Sequence, residues 1–330
     1  MVRKRAAAWS LAAALLAGGA QAQTGNPGGP INDNLGAWDY GVCRGLDPRC
    51  FHDWKRPATT EYRVLLFTRT GGPRHVNLGP ALSAGMNPPL AADNVVQKGM
   101  LALAAKNGWK LDYTEDLKFM TQLGGYNAVV FFSTSREILD GDAKTALRQY
   151  MRAGGGFVAI HNAFGAMYNW PWYEGLLGGT NFYDHGPHRT GDVVIVDRKD
   201  ASTRDLPARF GFKDEWYNLV PFPTRVRFLA TVDEASWTEV PPAPPYPASA
   251  MPRRPAGQQL PRVVGSHPGH GGFHPVAWCQ YYDGGKAWLT TLGHDAGVFA
   301  TDGSFPGAGE FQTLIAGGIR SVMGAEPFCR

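Results

Sequence analysis

Three histidines each follow a short apolar run that is typical of a buried β-strand. They are His75, His161 and His294. Because ligands of open parallel sheets bind beyond the carboxyl ends of the strands, we expect these side chains to meet at one sheet edge. A single histidine favours a buried structural residue, but three at equivalent strand ends favour a functional site. Imidazole transfers protons near neutral pH and binds divalent metals, so acid–base or metal chemistry is predicted.

His161 has the most specific surroundings of the three. Three glycines at 154–156 precede the apolar run 157–160, and His161 follows that run at once. Such a pattern predicts a sharp strand-to-loop turn, an elbow that presents one side chain at the top of the sheet. A buried histidine hydrogen-bonded to a neighbouring loop is the alternative.

Residues 213–218 (KDEWYN) place a carboxylate beside aromatic rings. Rings stack on the C–H faces of sugars while acids accept from hydroxyls, so Trp216 and Tyr217 are predicted to bind substrate. Nearby apolar rings would raise the pKa of Glu215, as a general acid or base requires. The alternative is an exposed acidic turn with aromatic residues in the core.

Further histidines and aromatics give weaker signals. His185 and His188 lie in a Gly/Pro loop, which is either a metal or sugar site or a solvated polar loop, and the polar loop is favoured for His188.

The segment 168–173 (YNWPWY) contains Trp170 and Trp172, which form either a sugar-stacking lid or a hydrophobic cover over the sheet. Of three later histidines, two are predicted at the surface and the last as structural. They are His267, His270 and His274.

Strand-like and helix-like segments alternate through the first half of the chain. Predicted strands are 62–67, 110–113, 128–132, 157–160, 193–196, 226–231 and 287–291, and predicted helices are 93–106, 140–152 and 310–322. This rhythm predicts an α/β fold, a doubly wound and mostly parallel sheet with helices on both faces. Residues 23–60 are predicted to form an irregular arm, and residues 241–272 a Pro/Gly-rich insertion within a domain over 61–330.

The N-terminus resembles an export signal. Basic residues 3–5, an apolar stretch 6–17 and the small-x-small pattern at 20–22 predict a signal peptide over 1–22, hence a secreted, periplasmic protein. A short membrane anchor is the alternative, although the stretch falls short of the ~20 residues of a spanning helix. The segment carries three bases and no acid, so the formal net charge of +4 falls to +1 without it. That balance gives no support for nucleic acid or anionic membrane as a partner.

Four cysteines fit an oxidising compartment. Cys43 and Cys50 flank a turn and are predicted to form a local disulfide. Cys279 is either a buried free thiol or the partner of Cys329.

Several motifs are missing from the sequence. It contains no CxxC pair, so a structural zinc site is not expected. The serine-hydrolase elbow, the P-loop and the dinucleotide-binding glycine motif are also missing, so no nucleotide cofactor is expected.

Taken in order, several segments resemble the ThuA-like trehalose-utilisation family over residues 62–324. They are GGGFVAIHNAF, YNWPWYEGLLGG, KDEWYN, FLATVDEASW, HPVAWCQYYDGGKAWLTTLGHD and GGIR. The resemblance implies a flavodoxin-like fold similar to class I glutamine amidotransferases. His161 occupies the elbow where those enzymes carry a nucleophilic cysteine, so amidotransferase activity is not expected. The resemblance also places His294 where that fold carries its catalytic histidine.

The family is linked to trehalose and related disaccharides, including 3-keto sugars. The resemblance therefore implies an enzyme that hydrolyses, eliminates or isomerises a glycoside or keto-glycoside. Catalytic residues are expected to be His161, Glu215 and His294, and substrate contacts His75, Trp170, Trp172, Trp216 and Tyr217. A divalent zinc or manganese ion, if used, would be bound by His161, His185, Glu215 and His294. A non-catalytic sugar-binding protein, or a partner of a sugar dehydrogenase, remains the alternative, and an oligomer is compatible with the sequence.

Overall fold

The computed structural model describes residues 40–54, 61–238 and 267–330. The predicted signal peptide, most of the arm and most of the insertion lie outside these residues. The helices are α1 (Val95–Asn107), α2 (Gly141–Arg152), α3 (Pro171–Leu176) and α4 (Ala308–Met323). The strands are β1 (Arg44–Gly45), β2 (Arg63–Phe67), β3 (Lys110–Thr114), β4 (Ala128–Phe132), β5 (Gly156–Ile160), β6 (Phe182–His185), β7 (Arg189–Ile195), β8 (Arg209–Asp214), β9 (Tyr217–Leu219), β10 (Arg227–Asp233), β11 (His274–Tyr282) and β12 (Gly285–Thr290).

Half of the main sheet is parallel and buried on both faces. Strands β3, β2, β4, β5 and β12 lie side by side in that order and all run in one direction. Every residue of β4 and β5 is buried, which explains their unbroken apolar sequences. In β2, Leu66 packs in the core with α1 and α4, whereas Leu65 packs in the opposite core with α2 and α3. The predicted doubly wound sheet with helices on both faces is confirmed.

The other half of the sheet is antiparallel. Beyond β12 the order continues β11, β10, β7, β8, and β1 pairs with β11. Strands β6 and β9 form a separate antiparallel pair. The predicted strands at 193–196, 226–231 and 287–291 correspond to β7, β10 and β12. No local pattern indicated the antiparallel order of β11, β10, β7 and β8, and β1, β6, β8, β9 and β11 were not predicted.

Local signals explain where the predicted helices begin and end. The Asp140 side chain accepts the Ala143 N–H at 2.9 Å and caps the start of α2. Helix α1 ends at Asn107, and Gly108 caps it with a φ of 74°, a left-handed conformation that suits glycine. None of the helices that the structure describes has both the length and the apolar character needed to cross a membrane.

Both cysteine pairs form disulfides. Cys43 pairs with Cys50 as predicted, and Cys279 pairs with Cys329 with 5.8 Å between Cα atoms. The alternative of a free Cys279 thiol is therefore wrong, because the C-terminal segment returns beside β11. Two disulfides are consistent with secretion into an oxidising compartment.

Candidate active site

Four strand ends bring the candidate residues to one edge of the sheet. His161 directly follows β5, Glu215 directly follows β8, and His294 and His75 lie in the loops after β12 and β2. Four successive antiparallel pairings separate β8 from β12, so β8 runs in the same direction as the parallel strands. The convergence predicted for the three histidines is thus observed, and Glu215 joins them from the antiparallel half.

The elbow at His161 has the expected backbone geometry. His161 has a φ of 54°, in the left-handed region that non-glycine residues rarely adopt, and its side chain is completely buried. Ser133, at the end of neighbouring β4, has a φ of 50° and donates its N–H to the Ile160 carbonyl at 3.0 Å. Such strained residues cost about 1–3 kcal/mol each and are concentrated at functional sites.

We define the histidine–glutamate cluster as His75, His161, Glu215 and His294. One side-chain nitrogen or oxygen from each lies within 4.8 Å of those of the other three. The His161 Nε2 atom lies 3.1 Å from His75 Nε2 and 3.3 Å from His294 Nδ1, and His294 Nδ1 lies 3.0 Å from Glu215 Oε2. A tetrahedral ion bound at 2.0–2.1 Å places its ligand atoms about 3.3 Å apart. These three separations fit a shared divalent cation.

The hydrogen bonding of His161 supports the same interpretation. Its Nδ1 donates to the Thr291 carbonyl at 2.9 Å, so the neutral ring carries no proton on Nε2. That single Nε2 lone pair faces His75 Nε2, His294 Nδ1 and the Tyr217 hydroxyl, all within 3.3 Å. One lone pair accepts one good hydrogen bond, whereas a cation would engage several imidazoles together. Donation of the second ring N–H to a carbonyl is typical of metal-binding histidines.

Burial and mutual charge set the protonation of the cluster. Burial, with the charge of His294, lowers the pKa of His75 to about 4, and burial also places the pKa of His161 well below its ordinary value. Both rings are therefore neutral at pH 7, the form that binds metal. Burial also disfavours the charged form of His294, but the hydrogen bond and charge of Glu215 outweigh it and raise the pKa of His294.

The predicted rise in the pKa of Glu215 is wrong. Burial does favour its neutral form, but the hydrogen bond from His294 and the charges of His185 and His294 outweigh burial and lower the pKa to about 2. The immediate neighbours of this carboxylate are imidazoles rather than the apolar rings beside it in sequence.

His185 lies beside the cluster and His75 lies within it. His185, predicted to bind metal, lies outside the cluster with its Nε2 3.5 Å from the other carboxylate oxygen, Glu215 Oε1. His75, predicted to contact substrate, belongs to the cluster. His188 lies farther out, with its ring centroid 5.0 Å from that of His294 and its Nε2 3.9 Å from Asp295 Oδ2.

Only one of the four predicted aromatic residues reaches the cluster. The Tyr217 hydroxyl lies 2.9 Å from His161 Nε2. Trp216 is buried in the core, and its indole N–H donates to the Arg189 carbonyl at 3.1 Å, which leaves no face for a sugar.

The tryptophans of the YNWPWY segment lie away from the cluster. The Trp172 indole N–H donates to Asp283 at 2.8 Å, in the turn that precedes β12 at the opposite edge of the sheet. Trp170 stacks on Trp172 with 4.7 Å between ring centroids. These side chains therefore form a hydrophobic cover, one of the two alternatives predicted from the sequence. The sequence could not distinguish the two, because a run of aromatic residues looks the same in a core as in a binding site.

A second histidine group lies behind Tyr217. His274 is buried between Glu234 Oε1 at 2.8 Å and the Tyr217 carbonyl at 3.0 Å, in agreement with the predicted structural role. His270 is not a surface residue, because its Nε2 accepts the Leu219 N–H at 3.0 Å and the ring is half-buried. His267 is half-buried beside it.

Two residues at the site were not predicted as functional. Asp214 is fully buried, and burial raises its pKa to about 7 although backbone N–H groups favour the charged form. Asn77 is 1% exposed and donates to the carbonyls of Gly293 and His294. Their only sequence signal is proximity to Glu215 and His75, which does not distinguish them from ordinary loop residues.

Comparisons with known proteins are consistent with the predicted family. The family model described as trehalose utilisation, ThuA, matches residues 63–320. A crystal structure of a ThuA-like protein from Bacteroides uniformis ATCC 8492 has a TM-score of 0.56 at 21% identity, covering 81% of this chain and 94% of that one. A second, from Parabacteroides merdae ATCC 43184, has a TM-score of 0.55 at 15% identity and covers 81% and 91%. Comparison with curated proteins found no match. The structural likeness shows the fold, and the family model shows that the chain belongs to the ThuA trehalose-utilisation family.

Proposed function

We propose that this protein is a metal-dependent enzyme of carbohydrate metabolism that acts on a glycoside or keto-glycoside. The observation that carries the proposal is the histidine–glutamate cluster, which gathers three imidazoles and one carboxylate at the carboxyl edge of the sheet. The ThuA family match supports a carbohydrate-related role. The paired cysteines, with the export signal expected from the sequence, support a periplasmic location.

His75, His161, Glu215 and His294 would hold the metal ion. Three nitrogen donors and one oxygen donor favour zinc over manganese, because imidazole suits zinc whereas manganese prefers oxygen ligands. Bound there, the ion would act as a Lewis acid on a ketone oxygen or lower the pKa of a bound water. Glu215 and the low-pKa histidines already have the protonation states that such binding requires.

Neighbouring side chains outside the cluster would transfer protons to and from the substrate. Tyr217 and His185 lie within 3.5 Å of cluster atoms and carry exchangeable protons. On a 3-keto-glycoside, the ketone acidifies the C2 proton, and one of these groups, in its unprotonated form, would remove it as the C1–oxygen bond breaks to give a C1=C2 double bond. The other group, in its protonated form, would give its proton to the departing oxygen, so the β-elimination balances.

A purely sugar-binding protein has less support from the structure. The aromatic faces expected to stack on sugars belong to Trp170, Trp172 and Trp216, which pack against the protein itself. The cluster contains more titratable donors than hydroxyl recognition needs.

The proposal is tested by metal analysis of untagged protein, comparing wild type with His161→Ala and the more exposed His294→Ala. His52→Ala is the matched control, because His52 contacts the Arg152 carbonyl at the other edge of the sheet. We expect stoichiometric zinc in wild type and His52→Ala, loss in the cluster variants, and metal-dependent turnover of glycosides or 3-keto-glycosides by chromatography. No metal after reconstitution with zinc, manganese or iron would overturn the metal role, and calorimetric sugar binding without product would favour the binding protein.

A further inference from the structure

The short segment 291–294 carries His294 and connects it to the other three members of the histidine–glutamate cluster. It forms hydrogen bonds with His161, with Asp214 next to Glu215, and with Asn77 near His75. We infer that Asp214 is a positioning residue that holds this segment and Glu215 in register, and thereby sets the affinity of the cluster for metal. The inference rests on the proposed metal site. Asp214 acts through the backbone of the ligand residues and has no place among the four donor side chains.

The Asp214 carboxylate joins two of the donor residues directly. Its Oδ1 accepts the N–H of Glu215 at 2.8 Å and the N–H of His294 at 3.2 Å. Its Oδ2 accepts the N–H of Gly293 at 2.7 Å. One buried side chain therefore fixes the end of β8 against the loop after β12. Those two segments carry the donor pair separated by 3.0 Å.

Asn77 holds the same segment from its other side. Its Nδ2 donates to the Gly293 carbonyl at 3.0 Å and to the His294 carbonyl at 2.9 Å. Asn77 lies two residues after His75, so this amide links the third donor segment to the same peptide. The N–H groups of Gly293 and His294 thus bond a carboxylate, and their carbonyl groups bond a carboxamide.

The fourth donor completes the arrangement. The Nδ1 of His161 donates to the Thr291 carbonyl at 2.9 Å. Gly293 has a φ of 126°, and a Cβ there would lie 3.2 Å from Ile160 and 3.3 Å from Phe132. The segment therefore packs closely against the ends of β4 and β5, and the hydrogen bonds of Asp214 and Asn77 hold it there. Removal of one of its supports is expected to displace the donors rather than to be absorbed by the loop.

Asp200 provides a matched control for Asp214. It is also completely buried, and its carboxylate accepts the Ser202 N–H at 2.9 Å and the Ser202 hydroxyl at 2.6 Å. No donor residue of the cluster takes part in those bonds. In Asp214→Asn, the amide NH2 would face at least one backbone N–H, so part of the support is lost with no change of size.

The test compares wild type with Asp214→Asn, Asp200→Asn and Asn77→Ala. Zinc affinity is measured by competition with a chelator, and site geometry by the absorption spectrum of the cobalt(II)-substituted protein. We expect Asp214→Asn to bind zinc about 10–100-fold more weakly with an altered cobalt spectrum, as found for outer partners of metal ligands. Asp200→Asn should bind zinc as wild type does. Asn77→Ala should weaken binding too, and it decides the question if Asp214→Asn does not fold.

A metal-independent readout separates this inference from the proposed function. In metal-free protein, hydrogen exchange at the amides of Gly293 and His294 should be slow in wild type and fast in Asp214→Asn. Unchanged exchange, or unchanged zinc affinity in both the Asp214 and Asn77 variants, would overturn the inference. If wild type binds no metal, the metal proposal is refuted. If the protection seen in wild type is nevertheless lost in Asp214→Asn, the positioning role of Asp214 stands.

Discussion

The Nδ1 of His161 lies 2.9 Å from the Thr291 carbonyl oxygen, and this bond fixes which nitrogen of the ring faces the site. A carbonyl only accepts, so Nδ1 carries the proton and Nε2 presents its lone pair to His75, His294 and Tyr217. The strained elbow after β5 and the loop after β12 together create this orientation. A histidine at this elbow is thus arranged to act as a base or a ligand.

The first prediction concerns Tyr217, whose hydroxyl lies 2.9 Å from His161 Nε2. If it transfers a proton to or from substrate, Tyr217→Phe should lower kcat about 100-fold or more while zinc content stays unchanged. Tyr150→Phe is the control, because the Tyr150 hydroxyl bonds Gly156 at the other end of β5. An unchanged kcat would exclude this role, and loss of zinc would identify Tyr217 as a ligand instead.

The second prediction concerns the ion pair of Glu215 with His294. The carboxylate raises the pKa of His294 against the effect of burial. Glu215→Gln removes that charge and leaves the burial, so the pKa of His294 should fall, as followed by NMR titration of the metal-free protein. Asp295→Asn should lower it by less, because Asp295 contributes less to the shift. Equal pKa values in wild type and Glu215→Gln would show that the carboxylate does not control this imidazole.

Residues 157–161 show how much of the site was accessible from sequence. A continuous apolar run between glycines specifies a strand buried on both faces, and the parallel order follows from its alternation with helices. Once the strands are parallel, His75, His161 and His294 must share one edge. That part of the site was predicted because it depends only on local pattern and on a general rule of topology.

Glu215 and Trp172 show which spatial relationships could not be predicted from the sequence. Glu215 reaches the cluster only because β8 follows four antiparallel pairings, which are long-range contacts with no local signature. Trp172, a predicted substrate contact, instead donates its indole N–H to Asp283 at the other edge of the sheet. Asp214 was missed for a related reason, since its function lies in backbone groups that are 79 and 80 residues away along the chain.

The third prediction concerns stability in acid. Burial, with the charges of His274 and His267, lowers the pKa of His270 to about 4 despite the opposing charge of Glu234. An unfolded histidine titrates near 6.5, so between pH 4 and 6.5 the unfolded chain binds more protons and stability falls as the pH is lowered. This contribution is complete above pH 6.5. Its slope cannot exceed about 1.4 kcal/mol per pH unit and is smaller for a partly exposed ring.

Urea unfolding of wild type and His270→Gln at pH 7.5 and pH 5 measures this contribution. The free energy of unfolding of His270→Gln should decrease less between the two pH values than that of wild type. The difference between the proteins cancels the contributions of buried histidines that do not interact with His270. An equal decrease would mean that His270 titrates alike in the folded and unfolded chains.

The fourth prediction compares the two disulfides. The Cys279–Cys329 pair closes a loop of 50 residues and the Cys43–Cys50 pair a loop of 7. Because a cross-link stabilises by restricting the unfolded chain, the longer loop should contribute about 1.7 kcal/mol more to the free energy of unfolding. The double variant Cys279→Ala/Cys329→Ala should accordingly have the lower Tm of the two double variants. A lower Tm for Cys43→Ala/Cys50→Ala would mean that packing of the N-terminal arm against β11, rather than chain entropy, decides the order.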